Sequence, residues 1–310
     1  SYTLGMEPVG LGGLRNVGQL QVNQSAGQDD SSRPLARFAG GIELLRAQLE
    51  SDTFRAGYPL TGDLRWKAST PRADDYLLRI RILDQQRRVV ASNETSLSAA
   101  EYPTSKWSTG DPVAGRIVAQ LPADLRSGSH RVEISLVNQR DGSVVPAKRW
   151  YGQREWLPVG RVQIDVWPMV THMPEGGDRT LGDNGLAGAI HLRGYDLERE
   201  DGALHLSLYW HAEASVDENY HVFVHVGEPE QPPLAEAGGL PVDWTRPTTS
   251  WRAGEIITDK HVVSLADVPP GTYDLLVGLF DPETGQRPET TVNGETVAGG
   301  YVLLEEVRVE

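Results

Sequence analysis

The strongest pattern along the chain is alternation with a period of two. Leu204, Leu206, Leu208 and Trp210 fall on one side, and His205, Ser207, Tyr209 and His211 on the other, as a half-buried strand requires. Tyr220, Val222, Val224 and Val226 alternate in the same way with His221, Phe223 and His225. Earlier in the chain, Tyr76, Leu78, Ile80 and Ile82 stand opposite Leu77, Arg79 and Arg81, and Leu64-Arg65-Trp66 opens a further strand. Gly271 to Leu279 reads as a strand entered from a Pro-Pro-Gly turn. Ile42 to Ser51 could place Leu44, Leu45 and Leu49 on a helical stripe. Its counterpart, Ile190 to Leu197, contains Gly194 and alternates, so strands are expected for both. Short strands separated by turn residues predict an all-β sandwich.

The pattern occurs twice. Pro103 to Asp111 and Pro247 to Glu255 both obey P-T-[ST]-x-W-x-x-G-[DE], and the same offset of 144 residues lays Trp66 on Trp210, Tyr76 on Tyr220 and Leu121 on Leu265. The expected fold is therefore all-β, two tandem antiparallel β-sandwiches of jelly-roll or immunoglobulin-like type arising from an internal duplication. The boundaries expected are 35–166 for the first unit, 167–185 for a polar connection and 186–310 for the second. Residues 1–34 read as a strand and linker, and the strand looks like the tail of a preceding unit, because Val17 to Val22 is a near copy of Val159 to Ile164. A longer parent chain is expected on that ground. In the shared motif, Pro sets the entry, hydroxyls bond nearby backbone, Trp covers the end of the core and Gly admits the turn.

Composition narrows the chemistry. Cysteine is absent, which removes disulfides, thiolate nucleophiles and thiolate metal ligands. No run approaches the roughly 18 apolar residues of a membrane helix. The net charge of −14 opposes a nucleic-acid partner, which needs a basic face. Residues 1–165 hold 21 Lys and Arg against 18 Asp and Glu, whereas residues 166–310 hold 8 against 25. The acidic surface thus belongs to the second unit.

No nucleophile motif or phosphate loop occurs, so no catalytic residue and no cofactor is assigned. His205, His211, His221 and His225 lie on outward faces of two consecutive strands, and pairing of those strands would bring some of them within metal-binding reach. The first unit has Leu77, Arg79 and Arg81 where the second has His221, Phe223 and His225, so the fold does not require a ligand there. Acid pairs for glycoside hydrolysis can be nominated at Asp217-Glu218, Glu228-Glu230 and Glu255-Asp259, although that chemistry needs two carboxyls across a cleft. Aromatic rings carry more weight, because sandwiches bind sugars by stacking exposed rings on apolar sugar faces. Trp66 and Trp210 share the inward face and belong to the core. Trp244 is the leading stacking candidate, since the aligned position is Ala100; Trp251, Trp107, Trp150, Tyr151 and Trp156 complete the set.

Leu192-Arg193-Gly194-Tyr195, Leu208-Tyr209-Trp210, Tyr220 to His225, the P-T-[ST]-x-W-x-x-G-[DE] motif, Asp259, Pro270 to Tyr273 and Val277 to Asp281 together resemble a known module. It is the C-terminal extracytoplasmic β-sandwich of polytopic bacterial, Chloroflexi-like glycosyltransferases of the dolichyl-phosphate-mannose protein mannosyltransferase type. The resemblance covers nearly all of unit two and unit one more loosely, where Tyr76-Leu77-Leu78-Arg79-Ile80-Arg81 replaces the Tyr-x-Val-Phe-Val-His string. It implies a non-catalytic accessory role outside the cytoplasmic membrane, tethered to the membrane-embedded portion of a parent protein, with a glycan or protein acceptor as ligand. The alternatives are a sandwich hydrolase using an acid pair of unit two and a purely architectural surface domain.

Overall fold

Alternation in the sequence becomes four β-sheets arranged as two sandwiches. The computed structural model describes residues 33–71, 74–149, 152–174, 179–182 and 184–310. The expected strand at Val17 to Val22 and the candidates Trp150 and Tyr151 lie outside them. Residues 34–310 form one compact unit.

The first sandwich is built from β1 (Ala36–Phe38), β2 (Ile42–Leu49), β3 (Thr53–Arg55), β4 (Pro59–Ala68), β5 (Tyr76–Leu83) and β6 (Val89–Ser96). It continues with β7 (Pro112–Gln120), β8 (Gly128–Asn138), β9 (Val144–Val145), β10 (Ala147–Arg149), β11 (Gly152–Arg154) and β12 (Leu157–Asp165). Sheet I runs in the order β11-β10-β1-β2-β4-β7, and sheet II in the order β3-β12-β8-β5-β6 with β9 beside β8. Leu64, Trp66, Leu78, Ile80, Ile82, Val132 and Ile134 point between the sheets and are buried. Trp66 is wholly enclosed, with its ring 6.0 Å from that of Phe38. One pair departs from the expected antiparallel plan: β3 lies parallel to β12, with Phe54 opposite Ile164. After leaving β2, the short β3 supplies an edge to the other sheet, where a parallel approach is the one its direction permits.

The second sandwich contains β13 (Arg179–Thr180), β14 (Asn184–Leu186), β15 (Ile190–Glu200), β16 (Ala203–Ala212), β17 (His221–Gly227) and β18 (Ala235–Gly239). It ends with β19 (Glu255–Ser264), β20 (Gly271–Phe280), β21 (Thr290–Val292), β22 (Glu295–Thr296) and β23 (Val302–Val309). Sheet III runs β19-β16-β15-β14-β21-β22, with β13 beside β15, and sheet IV runs β18-β17-β20-β23. The segment read as a polar connection therefore contributes two short strands to sheet III. Trp210 is fully enclosed and packs against Trp251, ring centroids 6.3 Å apart. Both Ile42–Leu49 and Ile190–Glu200 are strands, and each carries a bulge, between Leu44 and Arg46 and between Leu192 and Gly194. A bulge adds a residue and bends the strand. At Gly194 a side chain would lie 2.6 Å from the Arg179 carbonyl oxygen, which fixes glycine there.

The two copies of the nine-residue motif have different surroundings. Thr104 Oγ1 accepts from the Tyr76 amide at 3.1 Å, and Thr248 Oγ1 accepts from the Tyr220 amide at 2.9 Å. Each hydroxyl also donates back, to Asp74 O and Glu218 O respectively. In the second copy the loop also rests on the first sandwich. Thr249 Oγ1 donates to Gly57 O at 2.9 Å, and a Cβ on Gly57 would lie 2.2 Å from Ser250 Cα. Tyr58 donates to Thr245 O beside it. The Arg55 guanidinium covers the Trp167 ring at 4.1 Å, with Arg246 at 5.3 Å from the same ring. Glu255, fully buried, pairs with Arg246 at 2.8 Å and Arg252 at 3.2 Å. The corresponding Asp111 is exposed.

Candidate aromatic cleft on the outer face of sheet IV

The outward residues of β17 are His221, Phe223 and His225. Across the sheet Phe223 faces Gly238 on one side and Gly278 on the other. Without side chains at those two positions the Phe223 ring can lie down on the sheet, because a Cβ at Gly278 would meet it at 2.5 Å. Arg287 places its guanidinium 4.0 Å above the same ring, and the His225 ring stands 4.7 Å away. His221 contacts Phe280 and Trp244 edge-on, at 5.6 and 5.5 Å. These groups, with Glu236, line an open cleft of about 530 Å³.

Trp244 is 59% exposed. Its ring rests on Gly239, where a Cβ would fall 2.4 Å from the indole. The backbone that presents it is strained: Val242, Asp243 and Trp244 have φ of 56°, 51° and 61°. A left-handed turn costs an L-residue roughly 1–2 kcal/mol per position, and persists only where its surroundings over-determine it. Here they do. Asp259, fully buried, accepts from the Val242 amide at 2.7 Å while holding His261 at 2.8 Å and Trp210 Nε1 at 3.4 Å. Thr245 Oγ1 donates to Val242 O, and the Arg246 amide to Pro241 O at 3.0 Å.

Burial pulls the His221 imidazole below the usual histidine range. The same holds at His225, where Arg287 adds to the effect and Glu236 opposes it. A neutral imidazole offers one donor and one acceptor, which matches a hydroxyl better than an ion. Glu236 and Arg287 supply an exposed acceptor and further donors at the edge. The cleft can thus stack an apolar ring face and hydrogen-bond several hydroxyls. At its edge the Glu236 carboxylate lies 3.8 Å from His225 Nε2.

Trp251 is fully enclosed and Trp107 is 5% exposed, with its Nε1 donating to Tyr102 O at 3.2 Å. Neither can offer a ring face to a sugar, because each closes the end of a core. Trp156 lies on sheet II with the Arg81 guanidinium 4.0 Å over its ring. The histidines do not converge. His205 and His211 stand on β16 in sheet III, and His221 and His225 on β17 in sheet IV. These consecutive strands cross from one sheet to the other instead of pairing, which corrects the expected juxtaposition. Among the described residues no group of three or more His, Asp or Glu side chains is set to hold a metal ion. Of the nominated acid pairs, Glu255 and Asp259 are buried, Glu255 accepting from Arg252 and Asp259 from Val242 and Trp210, whereas Asp217, Glu218, Glu228 and Glu230 are exposed. The sequence reading missed Phe223, Phe280, Arg287 and the glycines beneath the rings. One signal was available, since Gly238-Gly239 stand where the first unit has Glu94-Thr95.

Fold and site together define an all-β protein of two sandwiches, with an aromatic cleft on one outer sheet face. No protein-family model matches the chain, and no curated protein does. Among solved structures it is similar to one titled "Crystal structure of the C-terminal domain of wzt", at 13% identity over 44% of this chain and 81% of that one. The TM-score is 0.32, and an overlap of that size adds nothing to the geometry above.

Proposed function

We propose that the chain is a non-catalytic binding module whose second sandwich takes a saccharide on the outer face of sheet IV, stacked on Trp244. The observation that carries this is Trp244 itself, a 59% exposed indole held out by three consecutive left-handed residues. Keeping a large apolar ring in water on strained backbone is unfavourable for folding alone. A stacked sugar face supplies the compensation, and the neutral imidazoles, Arg287 and Glu236 supply hydroxyl partners. The burial of Glu255 and Asp259 removes that pair from the hydrolase reading.

On the sequence resemblance, we extend the proposal to an accessory module outside the cytoplasmic membrane, serving the membrane-embedded portion of a longer glycosyltransferase. Among the described residues no helix is long and apolar enough to cross a membrane. A glycan array probed with the chain and with Trp244→Ala tests the binding claim. Stoichiometric retention is expected, with a loss of at least tenfold in the variant, equivalent to about 1.4 kcal/mol. Retention unaffected by the substitution would remove the site, and accumulation of shortened products would replace binder with hydrolase.

A further inference from the structure

The outer face of sheet II, in the first sandwich, has the opposite chemistry to the cleft on sheet IV. A groove of about 840 Å³ is lined there by five arginines, Arg81, Arg87, Arg131, Arg154 and Arg161, against three carboxylates. Two of the three acids are already committed. Glu133 takes two bonds from Arg81, at 2.9 and 2.6 Å, and Asp84 pairs at 2.7 Å with Arg88, which lies outside the groove. Arg131 reaches Glu133 only at 3.5 Å. Arg87 and Arg161 have no side-chain ion pair among the described residues.

The strand register sharpens the imbalance. Arg131 on β8 stands directly opposite Arg161 on β12, a relation that brings Cβ atoms to about 4.5–5.5 Å and makes like charges mutually destabilising. The neighbouring Arg81 is fixed in place by the Trp156 ring beneath it and by Glu133. The groove lies in the half of the chain that holds 21 Lys and Arg against 18 Asp and Glu, apart from the acidic second unit. Guanidinium groups present planar, paired donors suited to carboxylate and phosphate oxygens. A group of that kind set between Arg131 and Arg161 would turn a repulsive pair into a clamp.

We propose that this groove is a second binding site, specific for an oxyanion, carboxylate or phosphate, held between Arg131 and Arg161 with Arg87 at its rim. It does not rest on the Trp244 reading. The test is isothermal titration of the full chain carrying Trp244→Ala, at fixed ionic strength, with inorganic phosphate, with an oligogalacturonate and with an uncharged galactan oligosaccharide of equal length. Saturable binding of phosphate or of oligogalacturonate is expected, weakened at least tenfold by Arg131→Gln and by Arg161→Gln but not by Arg37→Gln on sheet I. Phosphate binding identifies a free or ester phosphate as the source, and oligogalacturonate binding a carboxylated saccharide. Heats that fail to saturate, equal affinity in the Arg131 and Arg161 variants, or galactan binding as tight as oligogalacturonate would overturn the proposal. Thermal melts of both variants guard the reading, since removing one member of a repelling pair leaves the midpoint unchanged or raised.

Discussion

At the scale of single residues, the turn from Val242 to Trp244 is where local preference and final structure disagree most. Asp243 is exposed and sits at φ 51°, so its side chain contributes little while its Cβ adds strain. Asp243→Gly is therefore expected to raise stability by roughly 0.5–1 kcal/mol, and Asp243→Val to lower it by about 1–2 kcal/mol. Chemical denaturation of the two variants checks this by the opposite signs of their midpoint shifts. The imidazoles give a second residue-level expectation. His221 and His225 are held below the usual range by burial, so the unfolded chain binds protons there before the folded one does. Their contribution to stability is complete above the unfolded value of about 6.5 and is lost as pH falls below it. The melting temperature should drop between pH 7.5 and pH 5.5, and the drop should be shallower in His225→Gln. Little of the turn was legible in the sequence. Val242-Asp243-Trp244 contains no glycine to announce positive φ, and the anchor that fixes it, Asp259, arrives from a strand 17 residues later. The exposure of Trp244, by contrast, could be inferred from its lack of an aromatic partner at Ala100.

At the scale of elements, each copy of the nine-residue motif works as a clasp between two loops. Its threonine accepts the amide at the entry to an inner strand, from Tyr76 at the start of β5 in one sandwich and from Tyr220 just before β17 in the other. Thr104→Val and Thr248→Val strip an acceptor from a covered N–H. Each is expected to cost about 1–3 kcal/mol, measured as separate shifts in urea midpoint; a loss in only one sandwich would mean the two clasps are not equivalent. The strands around these clasps were legible, since Leu204 to Trp210 and Val222 to Val226 bury the alternate side chains that their period of two predicts. Pairing was not. β16 and β17 are adjacent in sequence yet belong to opposite sheets, because a chain closing a sandwich crosses the core between consecutive strands. Periodicity gives the inward face of a strand, not its neighbour, so the four histidines could be placed outward but not apart. For the same reason Trp107 and Trp251 could not be distinguished from exposed rings.

At the scale of the whole molecule, the second copy of the motif also joins the two sandwiches. Gly57, at φ 83°, admits Ser250 against its bare Cα, and Tyr58, Thr249 and the Trp167 ring complete the contact. Gly57→Val forces both a left-handed β-branched residue and a steric overlap at this point. The parent chain is expected to unfold in one calorimetric transition and the variant in two; a single transition in the variant would mean this junction does not couple the sandwiches. The outer faces served by this scaffold differ, aromatic on sheet IV and arginine-rich on sheet II, so a joined pair can hold two chemically different groups at fixed separation. Central to the account is that the ligand meets Trp244. The most direct measurement follows the indole N–H resonances by NMR while titrating the saccharide retained on the array. The Trp244 signal should move in a saturable manner while those of the enclosed Trp66, Trp210 and Trp251 stay in place. A titration that saturates with the Trp244 signal unmoved would contradict the account.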